Sequence, residues 1–111
     1  MQTVAETTAY LHRAEKLLTA AERADVVSYL AAHPKAGDLI EGTGGVRKLR
    51  WARAGMGKSG GVRVIYYVHS EAMPLYLLTL FAKNERANLT KAERNSLAGL
   101  VEMLVDYWLG E

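Results

Sequence analysis

The sequence predicts an α+β fold with the element order β-α-α-β-β-β-α. Two capping boxes, Thr19–Glu22 and Thr90–Glu93, each precede a stretch with the apolar spacing of a helix. Between them, residues 46–83 contain three strand-like segments, which should pair antiparallel because they are close in sequence. We therefore expect an N-terminal helical hairpin packed on a small antiparallel sheet, followed by a C-terminal helix.

The N-terminal part of the chain is predicted to contain a short strand and two helices. Residues 2–6 favour a short edge strand, and apolar side chains on one helical face predict a helix from Thr8 to about Leu18. A second helix is expected from about Ala20 to Ala32. Pro34 should end it, because proline disfavours helical backbone at the residue before it.

Three strands and a helix are predicted after a glycine-rich loop. The predicted strands are Val46–Arg53, Val62–His69 and Leu75–Lys83. The first two flank the glycine-rich connection Ala54–Gly61, and the third begins with an almost continuously apolar run that is typical of a central strand covered on both faces. The last helix should extend to about Trp108, because its apolar residues are spaced by three and four.

Length and composition are those of a globular chain. We expect the 111 residues to form one domain, 1–111, since 50% are hydrophobic and 23% are charged. The absence of cysteine excludes disulfides and thiolate metal sites. No apolar run approaches the roughly 18 residues of a membrane span, and no signal peptide is recognisable, so a cytoplasmic location is expected.

Positive charge is concentrated in one part of the chain. Residues 42–70 carry six of the 14 basic residues and none of the 12 acidic ones. Lysine and arginine on a solvated sheet face discourage aggregation, but that accounts for one or two cations only. We therefore expect an anion-binding surface, with RNA or DNA phosphate as the anion. Trp51, Tyr66 and Tyr67 are candidates for base stacking, although core packing is favoured for Trp51 and Tyr66.

Strand alternation predicts that three of these cations converge. Lys48 and Arg50 should share one face of the first strand, and the apolar side chains beside them should face the core. If Ala52 lies opposite Arg63 and Lys48 lies opposite Tyr67, then Lys48, Arg50 and Arg63 meet on one surface. A slip of one residue would separate them.

A fragment that resembles a phosphate-binding P-loop does not predict nucleotide hydrolysis. Residues 55–59 read GMGKS, but position 52 is alanine where the motif needs glycine, and a strand follows where the motif needs a helix. Lys58 is therefore interpreted as a basic residue at a loop tip. The three histidines lack metal-ligand spacing, so no metal site is predicted.

The stretch GTGGVRKLRWARAGMGKSGGVRVIYYV, followed by LYLLTLFAKNERANLT, resembles the RelE/HigB-type toxins of bacterial toxin–antitoxin operons. It is most similar to the HigB-like branch with K-S-G-G-x-R-V-I-Y-Y and A-K-N-E signatures. The resemblance implies a RelE-like fold and a small ribonuclease that cuts messenger RNA, in many members only at the ribosomal A site. It also implies a cognate antitoxin as partner, with no cofactor, no metal and no membrane association.

The resemblance assigns site residues by position. It implies catalytic roles for Lys48, Arg50, Arg63 and Lys83. We also expect RNA binding by Arg47, Arg53, Lys58, Tyr67, Asn84 and Arg86, and among these Arg86 matches a basic position of the family. The sequence departs from RelE itself at Asn84, where RelE has arginine, and at Thr90, where RelE has tyrosine. Tyr67 could replace that aromatic residue only if it shares the basic face.

A mechanism follows from these assignments. The ribose 2′-OH attacks the adjacent phosphorus with Lys48 as general base, while Arg50 and Arg63 stabilise the phosphorane. The acid that protonates the leaving group is unassigned. Two alternatives stay open, namely a ParE-like toxin that inhibits DNA gyrase without cleaving RNA, and a plain RNA-binding module. The antitoxin could contact either the helical hairpin or the C-terminal helix.

Overall fold

The computed structural model describes residues 1–53 and 60–110. The elements in chain order are β1 (Val4–Glu6), α1 (Thr8–Leu17), α2 (Ala20–Ala32), β2 (Asp38–Leu39), β3 (Val46–Trp51), β4 (Val62–Tyr67), β5 (Leu75–Ala82) and α3 (Lys91–Leu109). The predicted α+β class is confirmed, and the predicted order holds except for the added two-residue strand β2.

The five strands form one sheet in the order β1-β5-β4-β3-β2. Strands β2 to β5 pair antiparallel with their neighbours, but β1 joins the edge parallel to β5, with Val4 opposite Leu75. The sheet is therefore mixed, whereas the sequence predicted an antiparallel one. The parallel pair is possible because the whole α1–α2 hairpin and three strands separate β1 from β5, which leaves ample chain for a crossover.

Side-chain caps fix where the helices begin. Thr7 caps α1, and its hydroxyl accepts a hydrogen bond from the backbone N–H of Tyr10. Both predicted capping boxes are confirmed, at the starts of α2 and α3. Helix α2 ends at Ala32, two residues before Pro34, as the sequence predicts.

The pairing of β3 with β4 corrects the predicted register. Arg50 lies opposite Arg63, and Val46 lies opposite Tyr67. The expected partners, Ala52 for Arg63 and Lys48 for Tyr67, are wrong by two residues, because β3 already ends at Trp51 and the connection is correspondingly longer. A shift of two residues leaves every side chain on its predicted face.

Helices cover both faces of the sheet. The α1–α2 hairpin packs on one face, which we call the hairpin face, through a cluster that includes Tyr10, Leu30 and Tyr66. Helix α3 packs on the other, the α3 face, where Val101 meets a cluster that includes Ile65. Strand β5 contributes buried residues to both clusters, so its predicted position as a covered central strand is confirmed.

A β-bulge in β5 changes which of its residues point to each face. Ile65 pairs with Thr79, but the next residue, Tyr66, pairs with Leu77, so Leu78 is the extra residue. Side-chain alternation is therefore broken, and Leu78 and Phe81 belong to the cluster beneath α3. A regular strand would put Leu78 and Phe81 on opposite faces.

Within residues 1–53 and 60–110, no helix combines the length and the apolar character needed to cross a membrane.

The turn before β3 depends on glycine. Gly45 has φ 116°, and a Cβ at this position would lie 3.2 Å from the Tyr67 ring. Replacing Gly45 by alanine should lower the free energy of unfolding by about 1–3 kcal/mol, because an L side chain is strained in this conformation. The matched control is Gly99→Ala in α3, where a Cβ meets nothing within 4 Å. It should raise the free energy of unfolding by about 0.5–1 kcal/mol. Denaturant unfolding of both variants measures the difference, and equal effects would contradict the role of Gly45.

Candidate functional site

Three cations predicted to converge lie on the same face of the sheet. Arg50 and Arg63 are directly opposite each other on β3 and β4, and Lys48 lies two residues from Arg50 on the same side of β3. We call Lys48, Arg50 and Arg63 the basic cluster. Arg50 is exposed and the other two are half-buried, so an anion can reach them.

No acid among the described residues neutralises the basic cluster. In the described ranges 1–53 and 60–110, none of the three residues forms an ion pair. Like charges directly opposite each other on neighbouring strands destabilise a sheet. The arrangement therefore costs stability in the free protein and favours an anion bound between the guanidinium groups.

Arg86 extends the basic surface along the row that contains Arg50 and Arg63. Phe81 lies opposite Arg63 on β5, and the Arg86 guanidinium lies over the Phe81 ring at 4.8 Å from its centroid. Arg86 Nη1 also donates to Glu93 Oε1 at 2.6 Å, which ties the first turn of α3 to the sheet. Arg86 is thus partly neutralised, unlike the basic cluster.

The Glu93 carboxylate has a structural role at the start of α3. Its Oε1 accepts from the backbone N–H of Thr90 at 2.8 Å, as the capping box requires. That backbone hydrogen bond, followed by the one from Arg86, holds the pKa of Glu93 below its ordinary value. Glu93 therefore stays ionised at neutral pH, and its charge is engaged by its own helix start.

The turn that carries Lys83 and Asn84 is braced by an ion pair. Glu85 Oε1 accepts from the backbone N–H of Ala82 and pairs with Arg13 Nη2, both at 2.9 Å. The backbone hydrogen bond, and then Arg13, hold the pKa of Glu85 below its ordinary value. Lys83 and Asn84 are exposed, and the Lys83 backbone N–H donates to Gly61 at the entrance to β4. Both predicted residues therefore lie at the end of the sheet where β4 begins.

Two predicted RNA-binding arginines lie apart from the basic cluster. Arg47 donates to the backbone carbonyl of Gly37 at 2.7 Å, and Arg53 donates to those of Gly60 and Leu17. By strand alternation Arg47 lies on the hairpin face, opposite Lys48, whereas Arg53 follows β3 and donates to the end of α1 at Leu17. These two guanidinium groups hold loops and a helix end in place. The structure therefore separates them from the basic cluster.

Tyr67 lies on the α3 face together with the basic cluster, but its ring is not accessible to a nucleobase. It is 6% exposed and packs in the cluster beneath α3, and burial raises its pKa. The expectation that it stacks on RNA is therefore not supported by its position. Tyr66 is fully buried, with its hydroxyl accepting from Gly37, and Trp51 packs against the hairpin-face cluster. The core roles favoured for Tyr66 and Trp51 are confirmed.

The remaining predictions concern Lys58 and metal binding. Lys58 lies in 54–59, outside the described residues. In the part of the chain that is described, no three histidine or acidic side chains lie close enough together to hold a metal ion.

Comparisons with known proteins agree with this architecture. A family model described as the RelE toxin of the RelE/RelB toxin–antitoxin system matches residues 10–108. Among solved structures, the chain is similar to the free state of an Escherichia coli RelE toxin in which two arginines are replaced by alanine. The identity is 16% and the TM-score 0.57, over 90% of this chain and 96% of that one. The structural likeness supports the fold alone, whereas the family match covers most of the sequence.

The unpaired charges of the basic cluster predict a gain in stability when one is removed. Arg50→Gln should raise the free energy of unfolding by a few tenths to about 1 kcal/mol, since it relieves repulsion from Arg63 across the strands. Arg50→Lys keeps the charge and serves as the control. The gain should shrink in high salt, which screens the repulsion. Denaturant unfolding at low and high salt tests this, and a less stable Arg50→Gln would contradict it.

Because the carboxylates of Glu85 and Glu93 accept hydrogen bonds in the folded state, we expect the free energy of unfolding to fall in acid. Because the folded state lowers the pKa values of Glu85 and Glu93, their contribution is complete above the ordinary value of 4.5. It is lost as the pH falls through the lower folded-state values. The double variant Glu85→Gln and Glu93→Gln should therefore lose less stability between pH 6 and pH 3 than the parent chain. Denaturant unfolding curves at several pH values measure the loss in each protein. Equal losses in the double variant and the parent chain would contradict the role of the two carboxylates.

Proposed function

The chain belongs to the RelE toxin family, and from this premise we propose that it is an endoribonuclease that cuts messenger RNA and thereby inhibits translation. As a RelE-type toxin of a toxin–antitoxin system, it has a RelB-type antitoxin as its implied partner. We further propose that residues 1–111 act as one domain, in the cytoplasm, on message held in the ribosomal A site.

The observation that carries this proposal is the basic cluster. Lys48, Arg50 and Arg63 share one face, and no carboxylate of the described residues pairs with them. A phosphodiester supplies the missing negative charge, and the fork geometry of arginine suits phosphate oxygens. RNA has the additional 2′-hydroxyl that can serve as an internal nucleophile.

The proposed reaction is a transesterification at phosphorus. Lys48 accepts the proton from the 2′-OH as that oxygen bonds to phosphorus, and the bond from phosphorus to the 5′ oxygen breaks. Arg50 and Arg63 stabilise the negative charge of the phosphorane. Lys83 completes the proposed catalytic set at the end of the same sheet, where its ammonium group can donate a hydrogen bond. The departing 5′ oxygen takes up a proton and becomes a free 5′-hydroxyl, and the other product is a 2′,3′-cyclic phosphate, which water can open to a 3′-phosphate.

The RNA path extends from the basic cluster toward the turn after β5. Asn84 is exposed there, and Arg86 keeps part of its guanidinium accessible beside the Glu93 pair. We propose that these two residues contact the phosphates that flank the scissile one. Arg47 and Arg53 are proposed to act on RNA only indirectly, through the loops that they hold.

Removing one cation of the cluster should reduce cleavage strongly. Lys48→Ala and Arg63→Ala are each expected to lower the cleavage rate by about 10²–10³-fold, because each group acts on the developing charge or the transferred proton. Lys16→Ala is the matched control, since Lys16 is exposed on α1, which packs on the hairpin face. Sequencing the 5′ ends of cellular RNA after brief induction measures the cuts.

The same experiment separates the rival functions. Undiminished cutting by both Lys48→Ala and Arg63→Ala would overturn the proposed site. Intact messages together with induced DNA damage would indicate a ParE-like toxin. RNA binding without any cut would indicate a plain RNA-binding module.

A further inference from the structure

A groove lies between β5 and the first turns of α3. It has a volume of about 270 Å³ and is lined by Thr79, Leu89, Ala92, Glu93, Ser96 and Leu97. Pockets for drug-sized ligands have volumes of about 300–1,000 Å³. The groove therefore has the size for one small heterocycle rather than for a folded segment of protein.

The β-bulge in β5 brings Thr79 into this groove. Because Leu78 is the extra residue, Thr79 pairs with Ile65 and points to the α3 face. Thr79 and Tyr76 are the two hydroxyl-bearing residues of β5, and its other residues are apolar. Bulges beside functional sites commonly redirect a side chain in this way.

The groove contains two hydroxyl groups that have no hydrogen-bond partner among the described residues. Within the described residues, neither Thr79 nor Ser96 forms a side-chain hydrogen bond. The other walls are the apolar side chains of Leu89, Ala92 and Leu97 and the Glu93 side chain, whose carboxylate is engaged by Arg86 and by the backbone of Thr90. Apolar walls with a few free polar groups are typical of small-ligand sites, in which the polar groups fix the orientation of the ligand.

The groove is adjacent to the basic cluster. Thr79 pairs with Ile65, and Ile65 pairs with Lys48, so the three form one row across the sheet. Arg63 is the diagonal neighbour of Thr79, at about 7–8 Å in an antiparallel pair. A phosphate held by Arg63 therefore has the groove within the reach of its own nucleotide.

We propose that this groove binds one nucleobase of the RNA whose phosphate lies on the basic cluster. The inference rests on the proposed function and adds a base-reading site to it. The base packs against the apolar walls, and the hydroxyls of Thr79 and Ser96 form hydrogen bonds with its edge. The cations beside the groove favour a polyanion over an apolar peptide as its occupant.

The test compares two ligands that differ only in their bases. Purified chain is titrated with a short single-stranded oligoribonucleotide and with an abasic oligomer of the same length and charge. We expect the parent chain to bind the base-containing oligomer about ten-fold tighter, which is the gain expected when about 55 Å² of apolar base surface is buried. Ser96→Leu and Ala92→Leu fill the groove and should abolish this difference without weakening abasic binding.

Two further variants isolate the groove from the cations. Asn95→Leu adds an apolar side chain one residue away, outside the groove, and should keep the ten-fold difference. Arg63→Ala should weaken the binding of both oligomers. Thr79→Val keeps the shape and removes the hydroxyl, so it should change the ratio of affinities between different bases by roughly five-fold.

Each failure has its own signature. If the filled variants keep the ten-fold difference, the groove is not a base site. If they bind RNA like the parent but lose inhibition by the antitoxin, the groove is a protein-binding site and the inference is overturned. If RNA is bound as expected while cellular messages stay intact, the base site stands and the proposed nuclease function fails.

Discussion

The two-residue period of side chains along β3 and β4 is the constraint on which the proposed site depends. It places Lys48, Arg50 and Arg63 on the face beneath α3 and Arg47 on the opposite one, where Arg53, which follows β3, donates to the end of α1. The separation gives the two groups different chemistry. The first group has no acidic partner among the described residues, whereas the second donates to backbone carbonyls. One short run of sequence thus supplies both the proposed binding surface and the arginines that hold the neighbouring backbone in place.

Sequence reasoning succeeded where local rules decide the outcome. Capping boxes located α2 and α3, and alternation gave the correct faces for Lys48, Arg50 and Arg63, although the register was wrong by two. It failed where distant contacts decide. The bulge at Leu78 has no signature in an apolar run, so the position of Phe81 beside Arg63 could not be predicted. The burial of Tyr67 likewise depends on α3, which begins 24 residues later in the chain.

The start of α3 connects the core to the proposed site. Glu93 caps its own helix and holds Arg86, while Arg86 lies over Phe81 in the row of Arg50 and Arg63. An acidic residue close to an RNA-binding surface would ordinarily repel phosphate. Here the Glu93 carboxylate accepts hydrogen bonds from the start of its own helix and from Arg86, so the basic cluster keeps its attraction for anions.

The parallel pairing of β1 with β5 has a consequence for how the toxin matures. Val4 to Glu6 pair with Leu75 to Leu77, so β1 has no sheet partner until β5 has left the ribosomal exit tunnel. Contacts between such distant segments form slowly because a long loop must close first. The β3–β4 hairpin is local and can form earlier. In a nascent chain the cations of β3 and β4 can therefore come together before β5 supplies the partner that β1 needs, and the sheet edge formed by β1 closes only after β5 has emerged.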